Sequence, residues 1–287
     1  MQIISNLQNK AIPEMLRRIA TPPQDLYVVG PLKELLERPR LIVVGSRRPT
    51  PYGKQVTQNL VQELAGLGIV IVSGLAYGID SVAHQACLEA GGQTIAVLPG
   101  GLDNVYPAAH QRLADRILER GGALVSEYPA GSVAYKLNFV ARNRIVSGLG
   151  DAVLIIEAAD KSGTLHTAAF ASEQGKTVMA VPGNITSPLS VGTNRLLRDG
   201  ATFVTNAQDV IEGLGLRQLI LDLPAVVAAN DQEASVINLL GKGVTDISQL
   251  QAQSGLSPPL FNQTLTMLEI TGKIRALGAG HYRLQTN

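Results

Sequence analysis

Seven short runs of aliphatic, largely β-branched residues recur between positions 41 and 204: LIVVG (41–45), IVIVS (69–73), TIAVLP (94–99), ALVSE (123–127), AVLIIEA (152–158), TVMAVP (177–182) and ATFV (201–204). They are apolar on both faces rather than alternating, so each predicted strand has to be covered by helices on either side. Amphipathic segments such as 53–67, 79–90 and 107–120 separate them, and Gly68, Gly91 and Gly121 stand where such helices would stop. This alternation predicts an α/β fold, a Rossmann-like, doubly wound, mostly parallel sheet over residues 41–215. The composition agrees, with 45% apolar residues, 29 glycines and no tryptophan. Residues 1–40 are expected to be an N-terminal extension packing on that core.

The alternation stops near residue 215. Residues 216–232 read as a linker. Beyond it EASVINLLGKG, DISQLQAQSG and SPPLFNQTLTMLEITGK suggest three short helices, and GKIRALGAGHYRL two strands around a glycine turn. That pattern predicts a small winged-helix-like domain over 233–287.

No uninterrupted apolar run approaches the roughly 18 residues of a membrane span, and the N-terminus lacks a basic-then-apolar signal layout. A single cysteine, Cys87, excludes an intrachain disulfide framework. A cytoplasmic protein without membrane association is expected. The net charge of +1 hides two concentrations of cations. Residues 45–54 (GSRRPTPYGK) carry Arg47, Arg48 and Lys54 with no acid, and residues 135–144 (YKLNFVARNR) carry Lys136, Arg142 and Arg144 with no acid. If folding joins them, they form one basic site on a near-neutral protein.

In open α/β sheets, ligands sit beyond the carboxyl ends of the strands, near the switch in strand order. The unusual residues gather there. Gly45, Ser46, Arg47 and Arg48 follow the first predicted strand; Gly74 follows the second; Lys136, Asn138, Phe139, Arg142, Asn143 and Arg144 come after the fourth; Ser162, Gly163 and Thr164 follow the fifth. Glycines allow close backbone approach, and amides at helix starts attract phosphate. Five of the seven tyrosines (Tyr52, Tyr77, Tyr106, Tyr128, Tyr135) fall in the same loops. Each taken alone also reads as a loop-packing residue. Together with Phe139, Arg and Lys, they are what a base-stacking, phosphate-holding site needs. No G-x-G-x-x-G follows the first strand and no G-x-x-x-x-G-K-[ST] occurs, so no dinucleotide or P-loop cofactor is expected. The four histidines and Cys87 lack metal or nucleophile spacing and read as structural.

At these positions the chain resembles the DNA-processing protein A (DprA/Smf) family. The resemblance rests on G-S-R at 45–47, S-G-L-A-x-G-I-D at 73–80 and A-H at 83–84. L-P-G-G at 98–101, Y-P at 106–107, S-E-Y-P at 126–129 and N-F-x-x-R-N-R-I at 138–145 continue it. S-G-T-L at 162–165, V-P-G-N at 181–184 and G-T-N-R-L-L-R-D-G-A at 192–201 complete the series. Each motif is weak; the ordered series is specific. The resemblance implies binding of single-stranded DNA in natural transformation, its protection, loading of a RecA-type recombinase, a homodimer, and no enzymatic activity. It maps the family's DNA-contacting Arg, Lys and Phe onto Arg47, Lys136 and Phe139. Two departures stand out. The N-terminal segment leaves no room for the helical domain that many relatives carry, and His166 stands where an aliphatic residue is usual.

Two alternatives stay open. Winged helices often bind duplex DNA, yet residues 230–287 balance four cations against four acids, and the predicted recognition helix has no basic residue. A protein-contact or structural role is favoured for that domain. Nucleoside-monophosphate phosphoribohydrolases share a related fold and a P-G-G-x-G-T-x-x-E motif. Here Thr167 stands in the place of the catalytic Glu, leaving Asp80, Glu127 or Glu157 as possible substitutes.

Overall fold

Every residue of the strand Arg40–Val44 is buried, as are those of Val70–Ser73, Thr94–Leu98, Ala123–Ser126 and Ala152–Ile155. This is the burial that two-sided apolar runs require, and each enclosed Leu, Ile or Val is worth about 1.5–3 kcal/mol. The computed structural model describes residues 4–216, 228–278 and 280–284. The chain divides into two units, Met1–Arg217 and Gln218–Asn287. Most of the predicted linker, residues 217–227, lies outside the described residues.

The first unit carries one nine-stranded sheet. In chain order its strands are β1 (Ser5–Gln8), β2 (Asp25–Val29), β3 (Arg40–Val44), β4 (Val70–Ser73), β5 (Thr94–Leu98), β6 (Ala123–Ser126), β7 (Ala152–Ile155), β8 (Thr177–Ala180) and β9 (Thr202–Phe203). Their spatial order is β1-β2-β6-β5-β4-β3-β7-β8-β9. From β6 to β9 all pairings are parallel. The chain winds outward from β3 to β6, then returns to place β7 on the other side of β3. The order of winding therefore reverses between β3 and β7.

The sequence reading missed two strands. The N-terminal segment is more than an appended piece, because β2 pairs antiparallel with β6 and β1 pairs antiparallel with β2. At this sheet edge β1 is mostly exposed, so it never shows the two-sided apolar pattern that marks the parallel strands. Ile12, Leu16 and Ile19, from the same segment, enter the core beside Ile145, Val146 and Leu149. On the opposite face Leu88, Leu113, Ala114 and Ile117 pack over β5 and β6.

In the second unit, helices Asp231–Gly241, Ile247–Ser254 and Pro258–Ile270 enclose Val236, Leu250, Phe261 and Leu268. The strands β10 (Ile274–Gly278) and β11 (His281–Leu284) pair antiparallel. The caps are local and explicit. Asn230 accepts from the Glu233 amide at 2.8 Å, and Asp246 accepts from the amides of Ser248 and Gln249. Lys273 pairs with the buried Glu233 at 2.7 Å, tying the strand region to the first of these helices. No helix among the described residues is long and apolar enough to cross a membrane.

Candidate nucleic-acid interface

Where winding reverses between β3 and β7, the loops leaving the two strands diverge and open a cavity of about 670 Å³. Gly45, Ser46 and Arg47 form one wall, and Ser162, Gly163 and Thr164 form the facing one. The Thr164 hydroxyl donates to the Gly45 carbonyl at 3.0 Å and joins the walls at their base. The helix Lys136–Leu149 begins at the rim and contributes Lys136, Phe139 and Asn143.

The loop after β3 is held from beneath. Gly78 has φ +83°, and a Cβ there would lie 2.2 Å from the Ser46 carbonyl oxygen and 2.8 Å from the Arg47 Cα. Only glycine lets the two loops touch. The Ile79 amide then donates to the Ser46 carbonyl at 3.1 Å. On the far side, Thr50 caps the helix Pro51–Gly66 by accepting from the Gly53 amide, while its own amide and hydroxyl donate to Glu157. Arg47 is thereby presented outward from a fixed backbone.

Three side chains make a cationic–aromatic wall. The Arg47 guanidinium carbon lies 5.1 Å from the centroid of Phe139, and Tyr106 meets Phe139 edge to face with centroids 5.4 Å apart. Lys136 is exposed at the rim. Among the described residues, Arg47, Arg48, Lys54 and Lys136 form no salt bridge, and Arg47 meets the buried Asp80 only through its charge. Such cations are available to phosphate.

The floor is different. Arg142 is 3% exposed and donates to the carbonyls of Gly74 and Val97, at the ends of β4 and β5. Burial pulls it down to about 10, with the Asp80 carboxylate opposing, so it stays a cation at neutral pH. A Cβ on Gly74 would lie 2.7 Å from that guanidinium. Asp80 accepts from the Gly74 and Ala76 amides, and its burial pushes it above the usual carboxylate range against the pull of Arg142.

A family model described as DNA recombination-mediator protein A matches residues 3–215, and one described as DprA winged helix domain matches residues 223–280. The chain belongs to the DprA family. It is 40% identical to Protein Smf of Escherichia coli over 272 residues, which cover 92% of this chain and 72% of the relative. It is 44% identical to DNA processing protein DprA of Streptococcus pneumoniae over 196 residues, 68% of each chain. The crystal structure of the S. pneumoniae protein superposes with a TM-score of 0.68 at 41% identity, covering 74% of each chain. DNA processing protein A of Helicobacter pylori, whose structure was reported for its single-stranded DNA binding mode, gives 0.67 at 36% identity. That match covers 77% of this chain and 99% of the other. Fold and family agree with the sequence reading: a mostly parallel α/β sheet and a C-terminal winged-helix domain.

The structure gathers Gly45, Ser46, Arg47, Lys136, Phe139, Asn143, Ser162, Gly163 and Thr164 around one cavity. Arg48 and Lys54 line a neighbouring depression that shares Arg47. Four more of the expected contact residues make framework contacts within the chain. Arg142 lies in the floor, Gly74 makes room for it, and Asn138 donates its amide to the Pro99 carbonyl at 3.0 Å. Arg144 points away, pairs with Glu127 and lines a separate cavity beside Arg18 and Gln174. The reason is helical spacing. Lys136 and Phe139 lie in the first turn at the rim with Asn138 turned to Pro99 between them, and further along Asn143 still faces the cavity while Arg142 and Arg144 on either side of it are drawn into contacts within the chain. Tyr106, Asp80 and Thr167 also line the cavity, and the sequence had marked Tyr106 only as one of several loop tyrosines.

Proposed function

We propose that this chain binds single-stranded DNA in the cavity between β3 and β7. Phosphates are held by Arg47 and Lys136, and bases stack against the Phe139–Tyr106 wall. The observation that carries this reading is the guanidinium-on-aromatic pair of Arg47 and Phe139, beside unpaired cations on a glycine-walled cavity. That pairing suits a polymer of alternating negative charge and flat rings. The H. pylori relative, matched over nearly its whole length, supports it. Protection of incoming DNA, loading of a RecA-type recombinase in natural transformation, action in the cytoplasm and a homodimeric state follow from family membership as part of the same proposal. A titration of labelled oligonucleotides, single-stranded against duplex, tests it. Tighter duplex binding, or none to either, overturns it.

The winged-helix domain fits a protein contact better than a duplex contact. Its helix Pro258–Ile270 exposes Leu260, Met267 and Ile270 at helical spacing and carries no cation. Duplex binding needs phosphate neutralisation, which that face does not offer.

Asp80, a buried carboxyl with a raised pKa at a cavity floor, is the one feature favouring an enzyme. The surroundings favour binding alone. Asp80 is engaged by two backbone amides, Glu127 by Arg144 and Glu157 by Thr50. Thr167 fills the position where the phosphoribohydrolase motif needs its Glu. A nucleotide-release assay on nucleoside monophosphates separates the readings; release abolished by Asp80→Asn would establish the enzyme.

A further inference from the structure

Beyond Arg47, on the side away from Phe139, lies a second depression lined by Arg48, Lys54, Tyr77 and Gly78. Arg47 lines both hollows, so the two adjoin at this residue. No acid lines the second one, and none of its three cations forms a salt bridge among the described residues. Tyr77 is half-exposed and braced. His110 meets its ring edge to face at 4.9 Å, and that histidine's Nδ1 lies 2.8 Å from the Leu75 carbonyl oxygen. The braced ring thus stands free on one side with cations around it, repeating the chemistry of the first cavity.

We propose that this depression is a second nucleotide subsite, so that a single strand leaving the Phe139 cavity crosses Arg47 and continues over Tyr77 between Arg48 and Lys54. The proposal extends the single-strand reading. It assigns Arg48 and Lys54 to the phosphates of the continuing strand, Tyr77 to a base beyond the first cavity, and Arg47 to the junction. The fold explains the placement. Gly78 brings the start of the helix Ile79–Glu89 under the Arg47 backbone, and Lys54 follows from the first turn of the helix Pro51–Gly66. Two helix starts and one strand end therefore deliver four side chains to one hollow.

The experiment is a length series of labelled oligothymidylates titrated against the full chain, comparing wild type with Arg48→Ala, Lys54→Ala, Tyr77→Leu and Tyr77→Phe. Wild-type affinity is expected to rise again with length after the first cavity is filled. On long oligonucleotides Tyr77→Leu should lose roughly tenfold, by loss of one stacked base, while Tyr77→Phe retains binding. Arg48→Ala and Lys54→Ala should each flatten the log–log salt dependence by about 0.7. On the shortest oligonucleotide that binds, all four should match wild type. Wild-type affinity and salt dependence in every variant on long oligonucleotides would overturn the second subsite alone. Failure of wild type to bind any single strand would overturn both it and the proposed function.

Discussion

The segments 45–54 and 135–144 bring the same three cations each, yet the fold treats them in opposite ways. In the first, Arg47, Arg48 and Lys54 all remain exposed, because the segment is a strand-end loop running into the first turn of a helix. In the second, only Lys136 stays exposed. Arg142 is enclosed between the ends of β4 and β5, and Arg144 is paired with Glu127. The difference teaches that a charge count along the chain overstates what a ligand meets. One arginine of the second segment holds the cavity together, and another holds the helix to a neighbouring strand end.

The largest expected effect tests the support beneath the first segment. His84, on the helix Ile79–Glu89, is fully buried, with Nδ1 2.7 Å from the Thr94 hydroxyl, and burial pulls it down to about 3. In the unfolded chain it takes up a proton near 6.5, so the unfolded state binds more protons throughout that interval. Stability should therefore fall as pH drops from 6.5 towards 3. The difference is worth on the order of 5 kcal/mol. Denaturant midpoints across that range should decline less steeply in His84→Gln; parallel declines would exclude this histidine as the cause.

Next comes the contrast between Arg142 and Arg47. Arg142→Ala leaves two carbonyls and Asp80 without their guanidinium and should cost about 3–5 kcal/mol in denaturant unfolding. Arg47→Ala should leave the unfolding midpoint within about 0.5 kcal/mol of wild type while weakening single-strand binding. Equal destabilisation by both variants would erase the distinction between the segments.

Smaller, and confined to binding, is the stacking term. Phe139→Ala should weaken single-strand binding by about 1–3 kcal/mol, on the order of ten- to a hundredfold. A variant whose melting point drops in step with its affinity would instead make Phe139 a packing residue. The smallest effect is the salt response. At about −0.7 per phosphate contact, Arg47 and Lys136 alone give a slope near −1.4, and Arg48 and Lys54 extend it to about −2.8. Arg144→Ala should leave that slope unchanged. A flatter slope in Arg144→Ala would return this arginine to the interface.

Most of the sheet was legible because aliphatic runs such as LIVVG and TIAVLP are enclosed on both faces, and that enclosure writes itself into composition. Glycines after the predicted helices marked their ends for the same local reason: Gly68, Gly91 and Gly121 all adopt positive φ. β1 was not legible, since an edge strand answers to its neighbour rather than to a pattern of its own, and β2, lying between β1 and β6, mixes Asp25 and Tyr27 into its apolar run and so lacks the unbroken aliphatic signature of the parallel strands. Charge, ring and position at a strand or helix start single out Arg47, Lys136 and Phe139 in the sequence, and the fold brings these three to one cavity. Arg142 lines the cavity too, but nothing local in the sequence distinguishes an arginine that reaches a phosphate from one that also reaches two carbonyls, contributed by residues 74 and 97. Tyr106 needed the third dimension too, since its partner Phe139 is remote in sequence.

The antiparallel addition of β1 and β2 has a consequence for self-association. A parallel sheet ending at β6 would present a buried, aliphatic strand as its border, with a row of unsatisfied amides and carbonyls that any extended peptide could pair with. Instead the borders are β1, four residues long, and β9, two residues long. The Asn6 amide donates to Asp25 across the first pair, placing a carboxylate beside that border. A second copy therefore finds only four residues of open strand at one border and two at the other, which disfavours sheets shared between copies.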